Sequence, residues 1–190
     1  MSVQTVTSVP SDELLSVEEA KRHLRVFDGT LDDEVASLIR AARDYCERYA
    51  NRTLRATVTR TFTDSKWWCG ALHLPFPPLL SVTSVTYYDS ANASQTLAAG
   101  NYYVALPTDD GGRVEWTSAA VIPSLYSRPD ALTVTYTTGY ASLTSIPPVV
   151  VQAMKCKLTE LWAVGRDSEI TAARQTCDRL LQLCEWPAYA

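Results

Sequence analysis

The spacing of apolar positions changes twice along the chain, and the two changes divide it into three blocks. Leu31, Val35, Leu38, Ala42, Tyr45 and Tyr49 recur at alternating spacings of four and three, with Arg40, Arg43, Asp44, Glu47 and Arg48 mostly off that stripe. This is the period of an amphipathic helix, expected over about 31–50. Ahead of it, Ser16 with Glu19 three residues on forms a capping box, in which each side chain satisfies a backbone N–H of the other's turn. That predicts a first helix over about 16–26. Asp28-Gly29 supplies the turn between the two. Thr30 is placed to cap the second helix, whose first turn carries Asp32, Asp33 and Glu34 as complements to the helix dipole.

From Thr53 the period falls to two. Leu54, Ala56, Val58 and Phe62 alternate with Thr53, Arg55, Thr57, Thr59 and Thr61, the pattern of a β-branched strand with one polar face. Pro75, Pro77 and Pro78 exclude helix and central strand. The stretches SVTSVTYYD, NYYVAL, RVEW and ALTVTYTTGY read as further strands, separated by a loop over 89–100 and a turn at Asp110-Gly111-Gly112. Helix returns after Pro147-Pro148 with Val150, Met154, Leu158 and Leu161 on one stripe. Gly165 is expected to end it. A last helix carries Ile170, Ala173, Cys177, Leu180 and Cys184, and Pro187 bars further helix.

The expected fold class is α+β: an N-terminal helix pair (about 16–50), a central antiparallel β block (about 53–140) and a C-terminal helix pair (about 147–185). Residues 1–14 read as a flexible N-terminal arm, 15–185 as a single domain, and 186–190 as a C-terminal tail.

Three phrases in this layout carry a family resemblance: SVEEAKRHLRV with TLDDEVASLIRAARDYCERYANRTL, then LHLPFPPLLSVTSVTYYDS, then LTVTYTTGY with IPPVVVQAMKCKLTELW. In this order and spacing, over about residues 15–165, the chain resembles the head–tail connector proteins (portal adaptor, or head-completion proteins) of tailed bacteriophages and gene transfer agents. It departs from that pattern after Gly165, where it adds a full amphipathic helix. The resemblance implies a structural virion protein at the neck, formed in the host cytoplasm. It implies a homo-oligomeric ring, usually of twelve copies, between the portal protein and a stopper or tail-completion protein. Such a ring extends the channel through which DNA passes, and no chemistry is implied. The alternative reading is a monomeric binding module using an aromatic β surface.

Charge fits a passage for DNA better than a grip on it. Seventeen basic residues against 21 acidic give a net charge of −4, and a dedicated high-affinity nucleic-acid binder shows a basic excess instead. No stretch approaches the ~20 apolar residues of a membrane span. The five cysteines form no CxxC pair, which points to free thiols in a reducing compartment.

Residues that invite an enzymatic reading do not assemble into one. Cys69 and His73, four apart on a strand-like run, would share a face about 13 Å apart and not touch. Cys177 and Cys184 on one helical stripe read as packed thiols. Asp109-Asp110-Gly111-Gly112 lacks the remaining ligand positions of a calcium loop. No catalytic, cofactor or metal residue is therefore expected. The candidate functional residues are aromatic: Trp67, Trp68, Tyr87, Tyr88, Tyr102 and Tyr103 in the β block, with Trp186 and Tyr189 on the tail, as a partner interface.

Overall fold

The structure, a computed structural model, describes residues 3–8, 13–55, 57–105, 112–163 and 166–184. It is a mixed α+β fold with four α-helices and two antiparallel sheets. The described residues gather into two compact units, one of helices (13–55 with 142–184) and one of strands (3–8 with 57–141). Gly165, Asp109 to Gly111, Trp186 and Tyr189 lie outside the described residues.

In the helical unit, α1 (Val17–Leu24) opens with the expected capping box: Ser16 Oγ accepts from the Glu19 N–H at 3.1 Å, and a Glu19 carboxylate oxygen accepts from the Ser16 N–H at 3.2 Å. The helix closes at Arg25 in the left-handed conformation. The expected Thr30 cap is not made. Instead Asp28 Oδ1 accepts from the Thr30 N–H at 2.9 Å and caps a short 3-10 turn, Gly29–Leu31, that runs into α2 (Asp32–Ala50). Asn51, left-handed, ends α2. The buried line of α2 is Val35, Ile39, Ala42, Arg43, Cys46 and Ala50, so the true stripe is rotated from the one traced through Leu38, Tyr45 and Tyr49. Two further helices, α3 (Pro148–Trp162) and α4 (Asp167–Gln182), pack against one another and against α2. They bury Val150, Ala153, Met154, Leu158, Cys177 and Leu181.

In the β unit, β1 (Val3–Ser8), within the stretch read as an arm, pairs antiparallel with β2 (Val58–Asp64). After β3 (Ala71–His73) come β4 (Leu79–Tyr88), β5 (Ser94–Thr96), β6 (Tyr102–Ala105), β7 (Arg113–Trp116) and β8 (Leu132–Thr138). The larger sheet has the order β1-β2-β8-β4-β5 and the smaller β3-β7-β6. Alternate residues of β8, Leu132, Val134, Tyr136 and Thr138, are buried, as period-two patterning requires. Leu132, Val134 and Tyr136 meet Phe62, Leu79, Val85 and Val114 in one core. Gly112 lies against Leu79 so closely that an added Cβ would overlap the leucine side chain, which explains a glycine directly before β7.

Candidate functional site

The aromatic residues singled out from the sequence divide by position. Trp67 and Trp68 lie between β2 and β3 rather than on a strand, so strand alternation does not set their directions. Trp68 is buried and stacks on Trp116, with ring centroids 4.4 Å apart and planes 12° from parallel. Trp67 meets Trp116 edge-on at 5.3 Å and Tyr87 at 5.4 Å. The Trp116 indole N–H donates to the Trp68 carbonyl at 3.3 Å. Such contacts add about 1 kcal/mol each to the area they bury. Trp67, Tyr87 and Tyr102 are half-buried against the same core.

On β6 alternation holds. Tyr102 packs inward, while Tyr103 is 49% exposed and its hydroxyl donates to the Glu115 carboxylate. That hydrogen bond, followed by partial desolvation, raises the Tyr103 hydroxyl above the ordinary tyrosine range. Tyr88 lies under the Arg128 guanidinium, 3.8 Å from its ring centre. Of the eight sequence-based residues, then, Tyr103 offers the most exposed side chain among those described.

Sequence reasoning missed a further exposed apolar stretch. Val121, Ile122 and Tyr126 are 75%, 52% and 41% exposed, on the loop joining β7 to β8. The signal was present as the pair Val121-Ile122 before Pro123, an apolar run at a position with no strand or helix period. Apolar side chains gathered on a loop have no core to fill and mark contact surfaces.

The helical unit holds charge inside. Arg43, buried, donates to Glu13 and, at 2.6 Å, to Asp44. Burial works against its charge, but these carboxylates outweigh it and hold the guanidinium above its usual range. Lys157, also buried, donates to Glu160 at 3.0 Å and sits 3.5 Å from the Tyr45 ring centre. Arg174 reaches the other Glu160 oxygen at 2.9 Å. Burial opposes the Glu160 charge, yet Lys157 and Arg174 prevail and hold the carboxyl below the ordinary glutamate range. Burial, then the 2.8 Å hydrogen bond to Asp178, raises the Tyr45 hydroxyl well above the tyrosine range. Cys46 and Cys177 are both buried. The neighbouring Cys177 thiol, with burial behind it, pushes the Cys46 thiol far up, so it behaves as a neutral core group.

These groups are tied to one another rather than aimed at a shared cleft. Cys69 is exposed ahead of β3, and His73 closes that strand. Among the described residues no three His, Cys, Asp or Glu side chains gather as metal ligands, and no helix is long and apolar enough to cross a membrane.

Salt-linked charge is thus buried among the helices, aromatic rings fill the β core, and apolar side chains stand outward on a fastened loop. The sequence model of the head completion protein family matches residues 13–169, and the chain belongs to that family. None of the curated proteins matches it. Among solved structures, its fold is similar to a chain from the neck of an empty gene transfer agent particle computed with C6 symmetry. The TM-score is 0.78 at 20% identity, covering 99% of this chain and 97% of the other. A chain from the neck of a native gene transfer agent particle computed with C12 symmetry matches with TM-score 0.73, 20% identity and the same coverage. One from the virion of a native particle matches with TM-score 0.73 and 22% identity, covering 98% and 97%.

Proposed function

We propose that this chain is the subunit of an adaptor ring at the neck of a phage or phage-like particle, seated between the portal protein and a stopper or tail-completion protein. The observation that carries this reading is the near end-to-end fold match to neck chains, joined to the family match over residues 13–169. The C6 and C12 symmetries of those necks favour a cyclic oligomer, with twelve copies as the working number. A closing rotation repeated head to tail makes such a ring. The net charge of −4 suits a channel that lets DNA slide, since many phosphate contacts would hold it. The tail, with Trp186 and Tyr189, is proposed as a segment that engages the portal or the stopper, and Tyr103 as part of a partner interface. The chain acts by position and packing, without catalysis.

Light scattering on a size-exclusion column at rising concentration, with negative-stain images of each peak, tests the ring. An annulus of about a dozen protomers is the expected species. A chain that stays monomeric at every concentration, and fails to add to a portal ring, would leave a monomeric binding module as the better account.

A further inference from the structure

The loop between β7 and β8 exposes three large apolar side chains, yet it is fastened at several points. The Val121 N–H donates to Asn101 Oδ1 at 2.9 Å, and the Trp67 indole N–H donates to the Pro123 carbonyl at 2.8 Å. The Tyr126 N–H donates to the Tyr88 carbonyl at 2.9 Å. Arg128 grips Asp130 through two nitrogens, at 2.6 and 2.7 Å, and reaches Asn92 at 3.2 Å. A loop held this way has little freedom left to lose on docking, which removes a large part of the usual cost of association. Core packing does not account for Val121 and Ile122, because their side chains point into solvent.

Charge narrows the partner. Between Thr117 and Ala131 the charged residues are Arg128 and Asp130, and they neutralise each other. The surface therefore offers nothing to a phosphate backbone or to a strongly charged protein face. It suits an uncharged, partly apolar protein edge. This chain has one. In β1, an edge strand of the larger sheet, Val6 is 48% exposed between the exposed Thr5 and Thr7. No charged residue occurs from Ser2 to Ser11. The outer main-chain groups of such an edge are open to a further partner.

The two surfaces are distinct patches of one unit. The loop is hydrogen-bonded at the Tyr88 end of β4, and β4 is separated from β1 by β8 and β2, a span of about 14 Å at ordinary strand spacing. A head-to-tail ring needs this arrangement: two different, complementary patches on each copy, so that each contact leaves one of each kind free for the next. We infer that the loop carrying Val121, Ile122 and Tyr126 docks on the β1 edge of the neighbouring copy, as one of the contacts that close the ring. This inference rests on the ring reading above and names one of its interfaces.

Two variants, Ile122→Cys and Val6→Cys, are made in the full chain with the exposed Cys69 and the half-buried Cys156 and Cys184 changed to Ser, so that the natural thiols left are the buried Cys46 and Cys177. Assembled protein is then treated with a short bismaleimide. The mixture of the two variants should give a covalent dimer that neither gives alone, and the double variant a ladder of linked protomers. A second variant, Val121→Glu with Ile122→Glu, should lose the ring while keeping the thermal midpoint of the monomer within a degree or two. Rings that form without the mixed cross-link, or that survive the two glutamates, would overturn this assignment and leave the ring standing. A chain that forms no ring under any condition would overturn both.

Discussion

In the helical unit the cations Arg43 and Lys157 are buried beside Glu13, Asp44 and Glu160. At the centre of the β unit lie Trp68, Val134 and Tyr136, with Trp116 packed against them. The β unit buries a cation too: Arg60 lies 4.2 Å over the Phe76 ring and donates to the Thr138 hydroxyl at 3.2 Å. Both units bury apolar area, and the helical unit adds buried ion pairs to it. Burial of apolar area is indifferent to pH and salt, whereas a buried ion pair is worth its geometry only while both partners keep their charge. The difference teaches that pH and point substitutions should affect the two units separately, and that each can be weakened by a lever that spares the other.

The largest effect is expected in the β unit. Trp68→Ala removes a buried indole from its stack on Trp116 and should cost about 3–5 kcal/mol in urea unfolding, by the same amount at pH 5 and pH 7. Next comes Arg43→Ala, which removes the buried cation between Glu13 and Asp44 and leaves the Glu13 carboxylate, 22% exposed, to its longer 3.6 Å pair with Arg55. A loss of about 3 kcal/mol is expected, and Arg43→Met should cost less because it fills the same space. If Arg43→Ala proved neutral, the ion pairs would be incidental and the contrast between the units would fail.

Acid sharpens the contrast with a smaller effect. Glu160 has a folded pKa below its ordinary value of 4.5, so as pH falls the unfolded chain takes up the proton first. The stabilisation is whole above that value and is lost as pH drops through the folded pKa. Hydrogen exchange followed residue by residue should show α3 and α4 amides losing protection below pH 4.5 while β8 amides hold. Glu160→Gln should remove that pH dependence. The smallest effect is Ser16→Ala, which deletes the α1 cap for about 1 kcal/mol and should leave β-unit exchange unchanged.

The features that could be read from the sequence were those fixed by neighbours in the chain. Ser16 and Glu19 are three residues apart and announced their capping box. The alternation of β8 announced its buried face, and Pro148 the start of α3. What could not be read depends on distant partners. Arg43 looked like a solvent-facing charge on a helical wheel. Its burial is explained by Glu13, thirty positions earlier and outside any periodic pattern. Trp116 drew no notice because its stacking partner, Trp68, is separated from it by forty-eight positions. Trp67 and Trp68 sit in the irregular stretch between β2 and β3, where strand alternation of side chains has no force. The exposed Val121 and Ile122 resemble a short strand in composition, and only the hydrogen bonds to Asn101 and Trp67 show them to be a fastened loop.

The chain passes from strand β1 into helices α1 and α2, back into strands, and again into helices. On a ribosome this order has a cost. The α1–α2 hairpin emerges early, with Val35, Ile39 and Cys46 bare, and the helices that cover them begin only at Pro148. At ordinary synthesis speeds that interval lasts on the order of ten seconds. Through it the nascent helical unit carries an open apolar face, a natural target for a holding chaperone, and the late helices decide when that target closes.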